Sequence, residues 1–85
     1  MKAQLLDVRR LDSAAGRVRV AIVVPKYGHT AVRRNKLKRQ LRELARQTLL
    51  TRPMSCDVLL RARREAYAAS FDVLRGDVAD LAARL

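Results

Sequence analysis

Residues 31–46, AVRRNKLKRQLRELAR, read as one helix with two incompatible faces. Leu37, Leu41, Leu44, Ala45 and Thr48 recur at i, i+4, i+7, i+8 and i+11, an apolar stripe suited to packing on a core. Around it stand Arg33, Arg34, Lys36, Lys38, Arg39, Arg42 and Arg46, against a single acid, Glu43. Like charges four residues apart, as in Arg34 with Lys38 and Lys38 with Arg42, destabilise an isolated helix by about 0.2–0.5 kcal/mol per pair. A polyanion that neutralises them offsets that cost. The first expectation is therefore nucleic acid.

Working outward, residues 17–24 form the strongest strand, with Val18, Val20, Ile22 and Val24 on one face and Arg17, Arg19, Ala21 and Val23 on the other. Pro25 ends it, Gly28 loosens the loop, and Thr30 is an N-cap for the basic helix. Beyond Arg52 and Pro53, Cys56–Ala62 is a second buried strand carrying Val58, Leu59 and Leu60. Residues 4–10 form a weaker strand, followed by a turn at residues 12–16 in which Gly16 is free to take positive φ. Ser70 caps a last helix, with Asp72 in the first turn where the helix dipole favours an acid. Phe71, Leu74, Val78, Leu81, Ala82 and Leu85 share one side of that helix, so Phe71 is expected in the core.

The order is β-β-α-β-α. A strand, a helix and a strand in succession imply two parallel, adjacent strands joined by the basic helix. Both helices then cover one face of a small mixed sheet, an α+β two-layer sandwich forming a single domain over residues 1–85. Crossovers of this kind are right-handed in about 98% of cases. The opposite sheet face, with Arg17, Arg19 and Arg61, is left for a ligand or a further element.

Charge sharpens the picture. Lys and Arg total 19 against 8 acids in 85 residues, a net charge of +11. Residues 1–52 hold 14 basic and 3 acidic residues, whereas residues 53–85 hold 5 of each, so the whole surplus sits in the half with the basic helix. That concentration is an electrostatic footprint rather than general solubilisation. Membrane-surface helices of this kind carry Trp or Phe on the apolar face, whereas this one offers Leu and Ala. Counter-ion release favours such a stripe on phosphate, and no membrane partner is expected. No segment approaches the run of about 18 apolar residues that spans a bilayer. The first residues, MKAQLLDVRRLDS, carry charges where a secretory signal needs an apolar run. The single Cys56 excludes an internal disulfide and suggests a reducing, cytoplasmic setting, with the thiol a small buried hydrophobe at a strand start.

Phosphodiester cleavage by metal ions needs clustered carboxylates or histidines. The acids here are scattered: Asp72, Asp77 and Asp80 read as a solvated helix face, and Asp7 and Asp12 flank a turn without a partner. One histidine, His29, builds neither a metal site nor a catalytic triad. No catalytic residue, no metal ligand and no cofactor bound by the protein alone is expected.

The stretch IVVPKYGHTAVRRNKLKRQLRE, residues 22–43, resembles the signature region of the bacterial ribonuclease P protein component. The family's buried strand, Lys-bearing loop, Ala-Val, Arg-Asn, Lys-Arg and Arg-Glu pairs stand here in register, as Ala31-Val32, Arg34-Asn35, Lys38-Arg39 and Arg42-Glu43. Downstream, the strand at Asp57 to Leu60 and the Ser70-Phe71 helix opening agree as well, so the similarity covers nearly the whole chain. The resemblance implies a ribonucleoprotein subunit that helps a catalytic RNA, with magnesium held through that RNA, to remove the 5′ leader from precursor tRNA. Its partners would be the ribonuclease P RNA subunit and the precursor-tRNA leader, with no obligate protein partner. It also implies a left-handed βαβ crossover, against the general rule. Two departures stand out: the family's N-terminal helix with exposed aromatics has no counterpart before the first strand, and Tyr27 stands where many members have a second Lys.

The candidate RNA contacts follow. Arg33, Arg34, Lys38, Arg39, Arg42 and Arg46 offer guanidinium forks and a point charge to phosphate from the helix, and Lys26 reaches the same phosphates from the preceding loop. Asn35 supplies a directed hydrogen bond to a 2′-hydroxyl or base edge, or else caps a local turn. Arg17, Arg19 and Arg61 face the open side of the sheet, and Glu43 is expected to pair with Lys36, Arg39 or Arg46. The alternatives are a structural ribosomal-type RNA-binding protein and, more distantly, a DNA-binding regulator with its helix in a major groove, which would want a helix pair or a dimerising ribbon.

Overall fold

The computed structural model describes residues 5–85. Strands β1 (Leu6–Asp12), β2 (Val18–Val23) and β3 (Cys56–Ala62) form one mixed sheet in the order β1-β3-β2. Helix α1 (Ala31–Thr48) joins β2 to β3, and helix α2 (Phe71–Arg84) closes the chain. The β2–β3 pair is parallel, with Val18 opposite Cys56 and Ile22 opposite Leu60, as the strand-helix-strand reading requires. Strand β1 runs antiparallel to β3, with Leu6 opposite Ala62.

The central strand reads most cleanly. Cys56, Val58, Leu60 and Ala62 are buried while Leu59 and Arg61 are exposed, the period-two pattern of a sheet with one covered face. On the same covered face lie Leu6 and Val8 of β1 and Val18 of β2. Val20 and Ile22 are only half-buried, because β2 is an edge strand with a neighbour on one side. Leu37, Leu41, Leu44 and Ala45 of α1 and Leu74, Val78, Leu81 and Ala82 of α2 complete one core with them. Each fully buried Leu or Val contributes about 1.5–3 kcal/mol, so this stripe, and not helix propensity, holds the charged α1 in place.

Local capping is as the sequence implies. Thr30 Oγ1 accepts from the Arg33 amide at 3.2 Å, and Ser70 Oγ accepts from the Val73 amide at 3.2 Å. Thr48, expected on the apolar stripe, is half-buried because its hydroxyl bonds back to the Leu44 carbonyl at 2.7 Å. After α1 the Arg52 guanidinium donates to the Ala82 carbonyl and ties that segment to the end of α2.

Several expectations need correction. Strand β1 runs two residues further than residues 4–10, to Asp12, and Gln4 lies outside the described residues. The connection to β2 therefore spans residues 13–17, and Arg17 precedes the strand instead of opening it. That connection passes over the end of β3, where the Ser55 hydroxyl donates to the Ser13 carbonyl and accepts from the Gly16 amide at 2.9 Å. Gly16 takes φ +79 there, as anticipated. A 3-10 helix at Arg64–Ala68, invisible to helical periodicity, links β3 to α2. Phe71 is not in the core: as the first residue of α2 it lies 37% exposed, with the Arg75 guanidinium 5.7 Å from its ring centre. Asp12 has a partner, Arg10, at 3.3 Å. Asp77 is half-buried instead of solvated, and its Oδ2 accepts from the Leu5 amide at 3.1 Å.

Candidate nucleic-acid interface

Helix α1 turns its Leu stripe inward, and that rotation alone decides which basic side chains face water. Arg33, Lys36, Arg39, Arg42 and Arg46 are exposed, and Arg34 and Lys38 half-buried. No acid occupies the first turn, so the positive end of the helix dipole adds to Arg33, Arg34 and Lys36. The exposed Asn35 side chain makes no hydrogen bond to a protein group, so the turn-capping alternative finds no support. Lys26, in the loop before the helix, is exposed as well.

Three of the expected helix contacts are engaged within the protein, Arg33 by a long hydrogen bond of 3.5 Å from its guanidinium to the Tyr67 carbonyl. Arg34 Nε donates to the Val24 carbonyl at 2.7 Å, anchoring the start of α1 to the end of β2. Arg34, expected only as a phosphate contact, is thus also part of what holds the fold. Arg46 chelates Glu43, Nε to Oε2 at 3.0 Å and Nη2 to Oε1 at 2.5 Å, and Gln47 adds a hydrogen bond to the same carboxylate. Of the partners considered for Glu43, the structure selects Arg46. The Arg46 hydrogen bond holds the Glu43 carboxyl below the usual carboxylate range, against the opposing effect of desolvation and with help from the Gln47 hydrogen bond and the Arg46 charge. The cations of α1 without an acidic partner thus concentrate at its N-terminal two-thirds, on Arg33, Lys36, Lys38, Arg39 and Arg42.

The loop into α1 is tightly wound. The His29 amide donates to the Lys26 carbonyl at 2.8 Å, closing a four-residue turn whose two central residues, Tyr27 (φ +48) and Gly28 (φ +84), both take positive φ. This is the signature of a type I′ turn, in which Gly is at home and Tyr is not. His29 stacks on Tyr67, ring centres 3.9 Å apart. Among the described residues no group of three His, Cys, Asp or Glu is placed to hold an ion.

The open sheet face carries the second set of candidates. Register aligns Leu11, Asp57 and Arg19 in one row, Arg9, Leu59 and Ala21 in the next, and Asp7, Arg61 and Val23 in a third. An open hollow of about 890 Å³ lies over the first two rows. Arg19 is not free: Asp57 accepts from its Nε at 2.7 Å and its Nη2 at 3.0 Å, and the Ser13 hydroxyl takes a further bond. The Asp57 hydrogen bond, then its charge, raise the Arg19 pKa above its ordinary value. Arg61, Arg9 and, at the strand's start, Arg17 remain exposed. Leu59, expected to be buried with Val58 and Leu60, lies exposed here instead, because successive residues of a strand point to opposite faces, and the same alternation in β1 puts Arg9 beside it.

The comparisons with known proteins agree with this geometry. The family model for ribonuclease P matches residues 2–85. The ribonuclease P protein component of Kocuria rhizophila is 46% identical over 59 residues, covering 69% of this chain and 52% of that protein. The chain therefore spans about half the length of this curated relative. Among solved structures, the RNase P protein of Thermotoga maritima superposes with a TM-score of 0.87 at 26% identity, over all of this chain and 81% of that one. The Staphylococcus aureus RNase P protein superposes at 0.85, over 99% of this chain and 76% of that one, and at 21% identity it speaks for the fold. On this match and on the acid-poor basic helix carried by the β2-α1-β3 crossover, the chain belongs to the ribonuclease P protein family.

Proposed function

We propose that this chain acts as the RNA-binding protein subunit of ribonuclease P, assisting a catalytic RNA in magnesium-dependent removal of the 5′ leader from precursor tRNA. The observation that carries it is the outer face of α1, where Arg33, Lys36, Lys38, Arg39 and Arg42 stand without an acidic partner. Such a surface gains most from a dense line of phosphates, since each neutralised phosphate releases condensed counter-ions. Asn35 lies among these cations and adds one directed bond, suited to a 2′-hydroxyl. Phosphate contacts of this kind position a protein on folded RNA without reading its sequence.

The open sheet face is the natural place for the single-stranded leader. Leu11, Leu59 and Ala21 offer apolar contact while Arg9 and Arg61 track the backbone. Aromatic stacking is worth about 1–3 kcal/mol per base, and the three rows of this face contain no aromatic residue among the described residues, so leader binding here leans on charge and shape. Cleavage chemistry belongs to the RNA and the magnesium it binds. No described helix is long and apolar enough to cross a membrane, and a cytoplasmic setting follows from the reading itself. A structural ribosomal role and a DNA-binding role are not favoured: the family match is to ribonuclease P, and the basic helix is embedded in a crossover without a paired recognition helix.

Reconstitution tests the proposal. A ribonuclease P RNA at low magnesium should remove the precursor leader slowly alone and markedly faster with this chain added, while the chain with magnesium alone should leave the precursor intact. Absence of any stimulation would sink the proposal.

A further inference from the structure

Residues 24–30 are held by more contacts than a surface loop needs, and the holders come from the other side of the chain. Tyr67, in the 3-10 helix after β3, donates its hydroxyl to the Pro25 carbonyl at 2.6 Å. Its ring stacks on His29 with planes 14° apart, and meets Tyr27 edge-on at 6.4 Å and 88°. Tyr27 in turn donates to the Ala62 carbonyl at 3.3 Å, with the Arg64 guanidinium 5.1 Å from its ring centre. Arg34 takes the Val24 carbonyl at 2.7 Å. Thus Val24, Pro25, Tyr27 and His29 are each fixed, and Lys26 rides among them as the exposed cation.

A non-glycine residue at φ +48 is a conformational outlier that persists only where the surroundings over-determine it. Here the surroundings are aromatic. Tyr27 sits in the strained position because its ring and hydroxyl reach β3 and the 3-10 helix from there, which a glycine could not do. Fixing its neighbours gives Lys26 one backbone direction, next to the first turn of α1. A mobile Lys26 would lose side-chain freedom on meeting phosphate, whereas one carried on a rigid turn keeps more of its binding free energy.

We infer that Tyr67 and Tyr27 are positioning residues: they clamp the 24–30 turn so that Lys26 is presented to RNA in register with the cations of α1. This rests on the reading of α1 as an RNA interface. Tyr67 and Tyr27 themselves touch no RNA; they act through Lys26.

A double-mutant cycle read as affinity for a ribonuclease P RNA, well below the unfolding temperature of each variant, tests this. Tyr67→Phe removes the bond to Pro25 while leaving the ring in place. Lys26→Ala should weaken binding in the unaltered chain and do so at least about three-fold less in the Tyr67→Phe background, the coupling expected of residues acting as one unit. Arg39→Ala, on a part of α1 held by the Leu stripe, should cost the same in both backgrounds. Equal Lys26 costs in the two backgrounds, or a fall in the Lys26 and Arg39 costs together, would overturn the positioning role and leave the interface reading standing. So would a silent Lys26→Ala beside a costly Arg39→Ala. If neither substitution weakens binding, the interface reading fails and the inference with it. Should Tyr67→Phe not fold, Tyr27→Gly takes its place in the same cycle with the same expected result, since glycine suits the positive φ and still removes the clamp.

Discussion

The outer face of α1 and the open face of the sheet both carry arginines, yet they differ in what those arginines are free to do. On α1 the surplus is uncompensated over most of the helix, with Glu43 neutralising Arg46 near its end. On the sheet, register brings Asp57 beside Arg19 and the two satisfy one another. A basic residue in a sequence is thus only a candidate for phosphate, and its cross-strand neighbour decides whether the charge is on offer. The helix presents field; the sheet presents a mixed surface with part of its charge already spent.

The comparison breaks first at the helix if its faces are wrongly assigned. Leu41→Ala should cost about 2–5 kcal/mol of stability, because its side chain is fully buried under the sheet and leaves a cavity. Arg39→Ala with Arg42→Ala should leave the denaturation midpoint nearly unchanged and weaken RNA binding. Arg34→Ala should fall between, losing about 1.5–3 kcal/mol with its charged hydrogen bond to Val24 in addition to any binding cost. Chemical denaturation alongside RNA titration reads all of these; an unfolded arginine pair and an unperturbed Leu41→Ala would invert the assignment.

Salt sharpens the contrast. With five or more phosphates on α1, the log–log slope of RNA affinity against salt should be about −3.5 or steeper, taking roughly −0.7 per contact for single strands. Asp57→Asn removes the carboxylate that occupies Arg19 and should steepen that slope by up to about one contact's worth, roughly 0.7. A slope indifferent to Asp57→Asn would mean that the Arg19 side of the sheet stays outside the RNA footprint.

The smallest effect is a pH dependence. Glu43 holds its proton less tightly in the fold than in the unfolded chain, chiefly through Arg46. Its contribution to stability is therefore complete above the ordinary carboxylate range and lost as pH falls through the depressed folded value. Thermal midpoints of the unaltered chain and of Glu43→Gln should converge on acidification; a gap that widens toward low pH would contradict the pairing.

Periodicity carried the reading where burial is regular. The Leu37–Leu41–Leu44 stripe and the parallel β2–β3 pair were legible, because a half-covered surface imposes its period on the chain, whereas the apolar run Val58-Leu59-Leu60 reads as buried throughout and hides that Leu59 faces the open side. The placement of β3 between β1 and β2 was not, since strand order depends on how connections cross and not on any local pattern. The Arg19–Asp57 pair joins residues 38 apart in the chain, and only register brings them together. Phe71 misled because helical spacing gives the face of a residue without its height along the axis, and the first position of a helix projects past the core. The resemblance to the ribonuclease P family reached further than these patterns, naming the fold and the partner class from an irregular spacing of polar pairs that physics alone reads as charge.

The central place of β3 has a consequence for how the chain is made. Strands β1 and β2 leave the ribosome early but share no edge with one another; each waits for residues 56–62 to supply its hydrogen-bonding partner. No native strand pair can form in the interval, so both pairings of the sheet are long-range contacts that wait for β3. Until then the nascent segment exposes its arginines and its Leu stripe side by side, with the ribosome's own RNA as the nearest polyanion, and release into the folded state coincides with burial of that stripe.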